Sequence, residues 1–409
     1  MLSVSEAQGI VLRHAQPLPA QIAPLTPAAL GRVLAEDVVS DMDSPPYDKA
    51  MMDGFAVRTA DLGEGENVLT VIEEVTAGRM PRLPVGPGQA ARIMTGAPIP
   101  QGADAVVPVE RTRMVDEQQV QIDAVPAPSP GWNILPKGRE MARGETILAA
   151  GAVLRPQVLG LLAGVGRTSA RLHPQPVVAI ISTGDEVVEA DQVPGPGQIR
   201  NSNGPMLTAQ VSRAGGLPRY LGIARDRLES LRPLITEGLS APVLVLSGGV
   251  SAGKLDLVPG VLQELGVQAH FHKVEMKPGK PVFFGTRKPT ESSPWATLVF
   301  GLPGNPVSSL VCLELFVRPT IRRLMGHADP GTQLVSMPLA EDFSSSTDRP
   351  TYHPARVEAG PEGWRVRAVP WFGSADLRAL AQTDALVLFP PGNHRHQAGQ
   401  LVPVLLTGN

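Results

Sequence analysis

Three glycine-containing loops carry the polar side chains in this sequence that are best suited to chemistry, and each loop follows a short apolar run. The loops cover residues 183–186, 247–256 and 301–306, after apolar runs at 177–182, 243–246 and 297–300. Glycine lets backbone N–H groups approach an anion closely, and carboxylates such as Glu186 and Asp256 bind divalent cations. The loops therefore predict a phosphate-handling site that contains carboxylates.

The apolar runs predict how these loops are positioned. Short continuous apolar runs are typical of strands that are buried on both faces of a parallel sheet. In an open parallel sheet, ligands bind beyond the carboxyl ends of the strands, so we expect the loops to line one crevice. Taken alone, each loop is equally compatible with an ordinary strand-to-helix turn. The spacing of glycine and lysine in 247–256 does not fit a Walker loop.

A fourth segment, Lys277-Pro278-Gly279-Lys280-Pro281, carries two lysines on a turn that is restricted by two prolines and a glycine. A rigid pair of ammonium groups suits a compact dianion because little entropy remains to be lost on binding. The alternative is a solvated hairpin tip, where lysine is common. The rigidity favours an oxyanion site.

The acidic residues near the first loop have two interpretations each. Asp185 and Glu186 are predicted to orient Mg²⁺ or to position water, and the alternative is that they cap a following helix or pair with a surface arginine. Asp226 is followed three residues later by Glu229, a spacing that predicts a helix N-cap within a capping box.

Composition excludes several classes of function. The chain has 409 residues, a net charge of −3 and one cysteine, so nothing indicates nucleic acid, a membrane surface or a disulfide framework. Cys312 lies in an apolar stretch and is expected in the core, which fits a reducing cytoplasm. The pattern shows no secretory signal, membrane-spanning helix, nucleophile elbow or dinucleotide fingerprint.

Periodicity predicts the elements that hold the loops. A capping box at Ser3 and Glu6 predicts an amphipathic first helix, and Asn305 and Pro306 predict the start of a late helix that Pro319 should kink. The remaining predictions are a short helix over residues 28–35, short strands with almost no helix from about residue 47 to about 136, strands alternating with helices from 174 to about 325, and strands again from 332.

These patterns predict a multi-domain α/β and all-β protein. The central α/β domain is accompanied by a β-rich insert and a small C-terminal β-barrel. The predicted boundaries are residues 1–44 with 137–173 for an elongated helical linking domain, 45–136 for the insert, 174–327 for the central domain and 332–409 for the barrel.

The motifs together resemble the MoeA/gephyrin E-domain family, the molybdopterin molybdenumtransferases. The resemblance includes Met51-Met52-Asp53-Gly54-Phe55-Ala56-Val57-Arg58, Arg92-Ile93-Met94-Thr95-Gly96-Ala97-Pro98, the three central loops and the double-lysine turn. Each motif alone is moderately specific, whereas their order and spacing over most of the chain are highly specific.

The resemblance implies a cytoplasmic enzyme that completes molybdenum cofactor. Such an enzyme takes adenylylated molybdopterin, cleaves its pyrophosphate bond with Mg²⁺, inserts molybdate at the dithiolene and releases AMP. The resemblance also implies a homodimer, whose cleft joins the central domain of one subunit with the insert of the other. The central domain resembles the molybdopterin adenylyltransferase fold, and that adenylyltransferase is the expected protein partner. No nucleic acid or membrane partner is expected.

The resemblance assigns expected roles residue by residue. Positions that match family residues tied to activity are Asp53, Thr95, Glu140, Glu186, Asp226 and Asp256, of which Glu186 and Asp256 would bind the metal. Positions expected to bind molybdopterin are Thr183, Gly184, Ser247, Gly248, Gly249, Ser251, Pro303 and Pro306. Positions expected to bind molybdate are Lys277, Lys280, Arg349 and Ser374.

The sequence departs from the family pattern at several positions. Lys254 replaces a frequent carboxylate, Glu140 stands where aspartate is usual, and Lys49-Ala50 replaces a commoner Asn-Ser. Arg356 is an alternative to Arg349 as the oxyanion ligand. Asp226 would serve the active site, the helix cap or both.

Other functions stay open from the sequence alone. A non-catalytic scaffold is one, although the retained carboxylates and lysines argue against it. A nucleotide or sugar-phosphate hydrolase that uses the central domain is another. Tungstate is an alternative to molybdate because the two oxyanions have nearly the same size and charge.

Overall fold

The chain forms two compact units in a computed structural model that describes residues 1–63, 65–125, 127–249, 257–291, 293–360 and 362–407. The first unit contains Met1–Ala35, Gly151–Val158 and Ser169–Asn409. The second unit contains Glu36–Ala150 and Leu159–Thr168. This division does not test the four predicted domain boundaries, which stay a prediction.

The described residues form eight α-helices and many short strands. The helices are α1 (Val4–His14), α2 (Pro156–Gly164), α3 (Asn203–Arg213), α4 (Leu228–Gly238), α5 (Val258–Glu264), α6 (Pro306–Cys312), α7 (Arg318–Leu324) and α8 (Leu377–Leu380). The strands are β1 (Gln21–Pro24), β2 (Val38–Val39), β3 (Lys49–Ala50), β4 (Gly54–Val57), β5 (Asn67–Val75), β6 (Gln89–Ile93), β7 (Ala105–Pro108), β8 (Thr112–Met114), β9 (Gln119–Ile122), β10 (Ile134–Leu135), β11 (Thr146–Leu148), β12 (Ser169–Leu172), β13 (Val177–Thr183), β14 (Val187–Val188), β15 (Ile199–Arg200), β16 (Leu217–Ala224), β17 (Val243–Ser247), β18 (Val267–Phe271), β19 (Phe283–Arg287), β20 (Thr297–Leu302), β21 (Leu334–Pro338), β22 (Phe343–Thr347), β23 (Thr351–Gly360), β24 (Gly363–Ala368), β25 (Ala385–Phe389), β26 (Gly392–His396) and β27 (Leu401–Leu406).

A six-stranded sheet in the order β16-β13-β17-β20-β19-β18 forms the centre of the first unit. The first four strands of that order are parallel. Strand β19 runs antiparallel to both of its neighbours, β20 and β18. The three predicted apolar runs are β13, β17 and β20, which lie side by side. The loops that follow these strands therefore leave the sheet at the same edge, as predicted.

The continuous apolar runs are explained by cores on both faces of this sheet. In β13, Ile180 packs into the core formed with α1, α3, α6 and α7, whereas its neighbour Ile181 packs into the core formed with α4 and α5. In β17, Val245 and Leu246 alternate in the same way. Each aliphatic side chain buried like this contributes about 1.5–3 kcal/mol. A polar residue on either face would forfeit that contribution.

Helix boundaries follow local chemistry at α1 and α6. Ser3 and Glu6 form the predicted capping box at the start of α1, and Asn305 precedes α6 as its N-cap. After α6 the chain forms a π-helical segment, Leu313–Val317, before α7. A π-helical turn contains an extra residue, so the helix is irregular directly before Pro319; the predicted kink at Pro319 itself stays a prediction.

Pro319 has no N–H group with which to bond the carbonyl four residues before it, that of Leu315. The side-chain amide of Gln8 donates to that carbonyl instead, at 2.8 Å, and also to Thr332 at 3.0 Å. The first helix therefore satisfies a backbone group that the proline leaves without its usual partner.

The C-terminal strands form a small closed sheet. The order is β21-β27-β25-β23-β24, and an isolated bridge between Leu339 and Val366 connects the two edges. Val387 and Val404 lie in its fully buried core. The expected β-barrel is therefore present.

The second unit is built on a six-stranded sheet in the order β7-β4-β6-β5-β9-β8. Consecutive residues of β4 pack on opposite faces, with Phe55 in one core and Ala56 in the other. The region therefore has the predicted all-β character. None of the helices in the described part of the chain is long and apolar enough to cross a membrane.

Candidate functional site

The loops after β13, β17 and β20 line one cavity of 810 Å³ in the first unit. The predicted residues that line it are Thr183, Gly184, Glu186, Asp226, Ser247, Gly248, Gly249 and Pro306. Thr183 and Ser247 are buried at the strand ends, whereas the carboxylates of Glu186 and Asp226 are on exposed residues. The cavity thus combines glycine-rich backbone with acidic oxygens.

Close packing explains why glycine follows β17. Gly248 has a φ of +93°, and a Cβ at this position would lie 2.7 Å from the Thr183 carbonyl oxygen. The Thr183 hydroxyl donates to the Ser247 carbonyl oxygen at 3.4 Å. The two loops therefore pack directly against each other, and any side chain at position 248 would separate them.

Arg225, which follows β16, holds the turn after β13 in place. Its Nη1 group donates to the carbonyl oxygens of Asp185 at 2.7 Å and Val187 at 2.9 Å. The Asp185 carboxylate accepts from the backbone N–H of Asp226 at 3.1 Å. The strand β14 follows this turn, so the alternative that Asp185 and Glu186 cap a helix is wrong.

The capping-box prediction for Asp226 is also wrong. Helix α4 begins at Leu228, and its N-cap is Arg227, one residue after the predicted cap; the Arg227 side chain makes no capping bond. Asp226 belongs to the preceding loop because its backbone N–H is bonded to Asp185 and the residue lines the cavity. Asp226 therefore lines the cavity from the loop that precedes α4.

Two asparagines that line the cavity were not predicted as site residues. Asn203 is 8% exposed, and its amide nitrogen donates to Ser247 Oγ at 2.8 Å and to the Gly304 carbonyl at 2.7 Å. Within the described residues its Oδ1 accepts no hydrogen bond. Asn201 has both amide atoms bonded, including its nitrogen to Tyr220. Their sequence context was interpreted only as the polar start of α3.

A second cavity, of 630 Å³, lies at the double-lysine turn. Its lining includes Lys277, Lys280, Pro303, Arg349 and Ser374, which are predicted site residues, and also Asn305, Asp348 and Trp371. The structure thus brings together all the side chains that the resemblance assigns to the oxyanion. Three cationic residues face one acidic residue, which leaves a formal excess of two positive charges.

Backbone pairing explains why Arg349 lies beside Lys277. The Lys277 N–H donates to the Pro350 carbonyl at 2.9 Å, and the Tyr352 N–H donates to the Lys277 carbonyl at 2.8 Å. Arg356 lies further along β23, where it pairs with Arg367 of β24, and it does not line the cavity. Geometry therefore favours Arg349 over Arg356.

The turn itself is held by tight packing. Gly279 has a φ of +103°, and a Cβ there would lie 2.6 Å from the sulfur of Cys312. Cys312 is completely buried, as expected, and burial raises the pKa of its thiol. A glycine is therefore required at position 279 both by backbone conformation and by space.

Asn305 lines both cavities and connects them. Its amide nitrogen donates to Ser374 Oγ at 2.7 Å, and the Val307 N–H donates to the Ser374 carbonyl at 3.0 Å. Because the hydroxyl oxygen accepts from Asn305, its own hydrogen is available to an anion. The sequence identified Asn305 only as a helix N-cap, yet its side chain makes no capping bond.

Asp53 and Thr95 lie together in the second unit. The Asp53 carboxylate accepts from the Thr95 backbone N–H and from the Thr95 hydroxyl, both at 2.6 Å. These donors, the hydroxyl first, lower the pKa of Asp53 below its ordinary value. Asp53 is therefore held as a carboxylate on the surface of this unit.

Glu140 is also in the second unit. It pairs with Lys49, a second residue that departs from the family pattern. It accepts from Ser44 Oγ at 2.7 Å and lies 3.5 Å from the Lys49 ammonium. The Ser44 hydroxyl, followed by Lys49, lowers the pKa of Glu140. The two departures, Lys49 and Glu140, thus form one ion pair.

Ser251, Lys254 and Asp256 lie outside the described residues, so the predicted proximity of Asp256 and Lys277 stays a prediction. Within the described part of the chain, no group of three acidic, histidine or cysteine side chains could by itself hold a metal ion. Glu186, Asp226 and Asn203 all line the larger cavity, and their carboxylate and amide oxygens are ligands of the kind that Mg²⁺ prefers.

The fold thus combines a mostly parallel central sheet, an all-β unit and a C-terminal barrel, and the first unit has one cavity lined by glycine-rich loops and carboxylates and another lined by cations. Family models match most of the chain: "MoeA N-terminal region (domain I and II)" at residues 2–166, "Probable molybdopterin binding domain" at 179–323 and "MoeA C-terminal region (domain IV)" at 336–407. The chain therefore belongs to the MoeA family of molybdopterin molybdenumtransferases.

Individual relatives agree with this assignment. The molybdopterin molybdenumtransferase of Bacillus subtilis is 35% identical over 92% of this chain and 88% of its own length. The one from Nostoc sp. is 37% identical over 92% of this chain and 87% of its own length. A crystal structure of a molybdopterin biosynthesis MoeA protein from Pyrococcus horikoshii covers 99% of this chain and 100% of its own, with a TM-score of 0.83 and 28% identity.

Proposed function

We propose that this chain takes adenylylated molybdopterin, cleaves its pyrophosphate bond, inserts molybdate at the dithiolene and releases AMP. The observation that carries the proposal is the pair of cavities that share Asn305. One is lined by cations and suits a tetrahedral oxyanion, and the other is lined by glycine-rich loops and carboxylates. Insertion requires both ligands to be held side by side, which lowers the entropy cost of their reaction.

The oxyanion cavity would bind molybdate through Lys277, Lys280, Arg349 and the Ser374 hydroxyl. The excess of two positive charges equals the charge of a tetrahedral dianion with opposite sign. Charge-assisted bonds from lysine and arginine are the strong hydrogen bonds of proteins, and the serine hydrogen adds a directed donor. This site would accept tungstate by the same chemistry.

The larger cavity would bind the phosphates and molybdopterin through Thr183, Gly184, Ser247, Gly248 and Gly249, with Ser251, Pro303 and Pro306 shaping the loops. Glu186 with Asp256 would hold Mg²⁺, which neutralises charge on the phosphates that separate. Asp226 adds a carboxylate at the same cavity. Asp53, Thr95 and Glu140 would complete the active site.

The proposal includes a homodimer in the cytoplasm, with the insert of one subunit supplying Asp53 to the central domain of the other. The motivation for this arrangement is the family resemblance of the sequence motifs, which implies a cleft shared between two subunits. Adenylylated molybdopterin would come from the molybdopterin adenylyltransferase, since that enzyme forms the bond that this one cleaves.

Release of AMP from adenylylated molybdopterin, measured with and without molybdate, tests the function. We expect molybdate to accelerate release, and Lys277→Ala to raise the molybdate concentration required about tenfold, because one of three cations is lost. The matched control is Lys288→Ala, a lysine outside the oxyanion cavity, which should behave as wild type. AMP release at a rate that does not depend on molybdate would indicate a hydrolase. Absence of AMP release from adenylylated molybdopterin would indicate a scaffold.

A further inference from the structure

Asp348 is an acidic residue in a cavity whose other charged side chains are cationic. Its carboxylate is hydrogen-bonded to the guanidinium of Arg349. Arg349 donates from Nε to Asp348 Oδ1 at 3.0 Å and from Nη2 to Oδ2 at 2.5 Å. Both residues line the 630 Å³ cavity. The Asp348 carboxylate therefore accepts two hydrogen bonds from one edge of the Arg349 guanidinium. An oxyanion would bind the same edge through two of its oxygens.

We propose that Asp348 is a resident competitor for the oxyanion, which holds Arg349 while the cavity is empty and must release it when the anion binds. The inference rests on the proposed function of this cavity. It makes Asp348 a residue that lowers oxyanion affinity and acts through Arg349. Removal of its charge should therefore strengthen binding.

The burial of the two side chains supports displacement rather than permanent pairing. The Asp348 side chain is 68% exposed, whereas that of Arg349 is 24% exposed. Among the described residues, Arg349 is the one side-chain partner of the Asp348 carboxylate. Rotation of Asp348 into water thus breaks no other side-chain contact, and its charge is readily solvated there.

Asp348 carries its charge at neutral pH. Its bonds from Arg349, and to a smaller extent the charge of Lys277, lower the pKa of its carboxyl group. The competing carboxylate is therefore charged at neutral pH, where molybdate is a dianion.

Weak ground-state binding suits a site that must pass its ligand on. Three cations without an acidic neighbour would bind the free oxyanion and the reacting oxyanion alike, and such uniform binding does not accelerate transfer. Asp348 competes with free molybdate for the two donors of Arg349. It therefore lowers the affinity of the cavity for the free oxyanion. The cavity then releases molybdate to the dithiolene more readily.

The opposite interpretation is that Asp348 positions Arg349 for the anion. The two interpretations predict opposite signs for the same substitution. If Asp348 positions the guanidinium, Asp348→Asn weakens oxyanion binding. If Asp348 competes, Asp348→Asn strengthens it.

The test is calorimetric titration of molybdate into the full-length wild-type protein, Asp348→Asn and Asp348→Ala. We expect both variants to bind about fivefold more tightly, because an exposed ion pair no longer has to be broken before the anion can bind Arg349. The control is Asp342→Asn, which removes an exposed aspartate paired with Arg395 outside the cavity. Its Kd should equal that of wild type.

A double-mutant cycle identifies the route of the effect. In an Arg349→Gln background, Asp348→Asn should change the molybdate Kd by less than about twofold, because no guanidinium remains to be released. A fivefold gain that persists there would mean simple charge repulsion and would overturn the competitor role. In turnover assays, Asp348→Asn should lower KM for molybdate without raising kcat.

The controls separate failure of this inference from failure of the proposed function. If Lys277→Ala weakens molybdate binding as expected but Asp348→Asn also weakens it or leaves it unchanged, the competitor role is wrong and the oxyanion site stands. If Lys277→Ala leaves binding intact, the oxyanion site itself is wrong. A molybdate-soaked crystal should show Arg349 on the anion and Asp348 turned towards solvent, and a retained Asp348–Arg349 pair would contradict the proposal.

Discussion

At the scale of single residues, hydrogen bonds set the ionisation of the carboxylates. Asp53 is exposed, yet two donors from Thr95 lower its pKa because they stabilise the charged form. A carboxyl group with a lowered pKa in the folded state contributes stability above its unfolded pKa, and this contribution is lost as pH falls through the lowered value. Asp53 therefore stays ionised at more acidic pH than an unassisted aspartate.

Replacement of Thr95 by alanine should raise the pKa of Asp53 towards its ordinary value. The hydroxyl donor is lost, whereas the backbone N–H remains, so the rise should be partial. The acid limb of the activity profile should move to higher pH in the same direction. Carbon-detected NMR titration of the Asp53 carboxyl measures the change. Asp43, whose pKa is lowered chiefly by the Arg143 N–H, should titrate as in wild type, and an unchanged Asp53 would contradict the assigned cause.

Residue types revealed part of the site and concealed the rest. Lys277 and Lys280 were recognised because proline and glycine surround them, which is a local signal. Asn203 was missed because its importance lies in bonds to Ser247 and Gly304, which exist only in the folded chain. Asp348 was missed because an aspartate beside an arginine is usually a solvated pair with no function.

At the scale of elements, the double-lysine turn depends on a contact with a distant helix. Gly279 packs on Cys312 of α6, so the turn keeps its shape only if no side chain is present. Local sequence predicted the turn, but the supporting helix lies in another part of the chain. The same limitation explains the irregular helix near Pro319, since the Gln8 amide that bonds the Leu315 carbonyl is 307 residues away.

Gly279→Ala should destabilise the protein by about 2 kcal/mol and weaken molybdate binding, because φ is unfavourable and the new methyl group overlaps Cys312. Chemical denaturation and calorimetric titration measure the two effects. The matched control is Gly160→Ala in α2, where no atom lies within 4 Å of the added Cβ and a small gain in stability is expected. Wild-type binding by Gly279→Ala would show that the turn's conformation is not needed.

At the scale of the whole molecule, the predicted active-site residues are divided between the two units. Asp53, Thr95 and Glu140 belong to the second unit, whereas Glu186, Asp226 and both lysines belong to the first. The fold class and both sheets follow from hydrophobic periodicity, because alternation and turns are local. The association of units or subunits is set by surfaces that periodicity does not describe.

Co-expression of two inactive variants tests the shared active site that the proposal requires. Chains with Asp53→Ala and chains with Lys277→Ala should each form homodimers that release almost no AMP when molybdate is kept well below the concentration that Lys277→Ala requires. If subunits share sites and assort at random, about a quarter of wild-type activity should return, since half the dimers carry one intact site of two. The measurement is AMP release by the purified mixture.

The control for this experiment pairs Lys277→Ala with Lys280→Ala, which damage the same cavity and should not complement. Absence of recovery with Asp53→Ala, although mixed dimers are detected by mass spectrometry, would place each active site within one chain.

The bond from Gln8 to Leu315 also has a consequence for protein synthesis. A ribosome makes α1 well before the π-helical segment that it completes, because Gln8 and Leu315 are 307 residues apart in the chain. Ala7 and Val11 are buried in the core of the folded chain. During most of translation the later core residues that cover them have not yet been made. Helix α1 therefore leaves the exit tunnel long before it can dock, and its apolar side is the surface that a nascent-chain chaperone would bind.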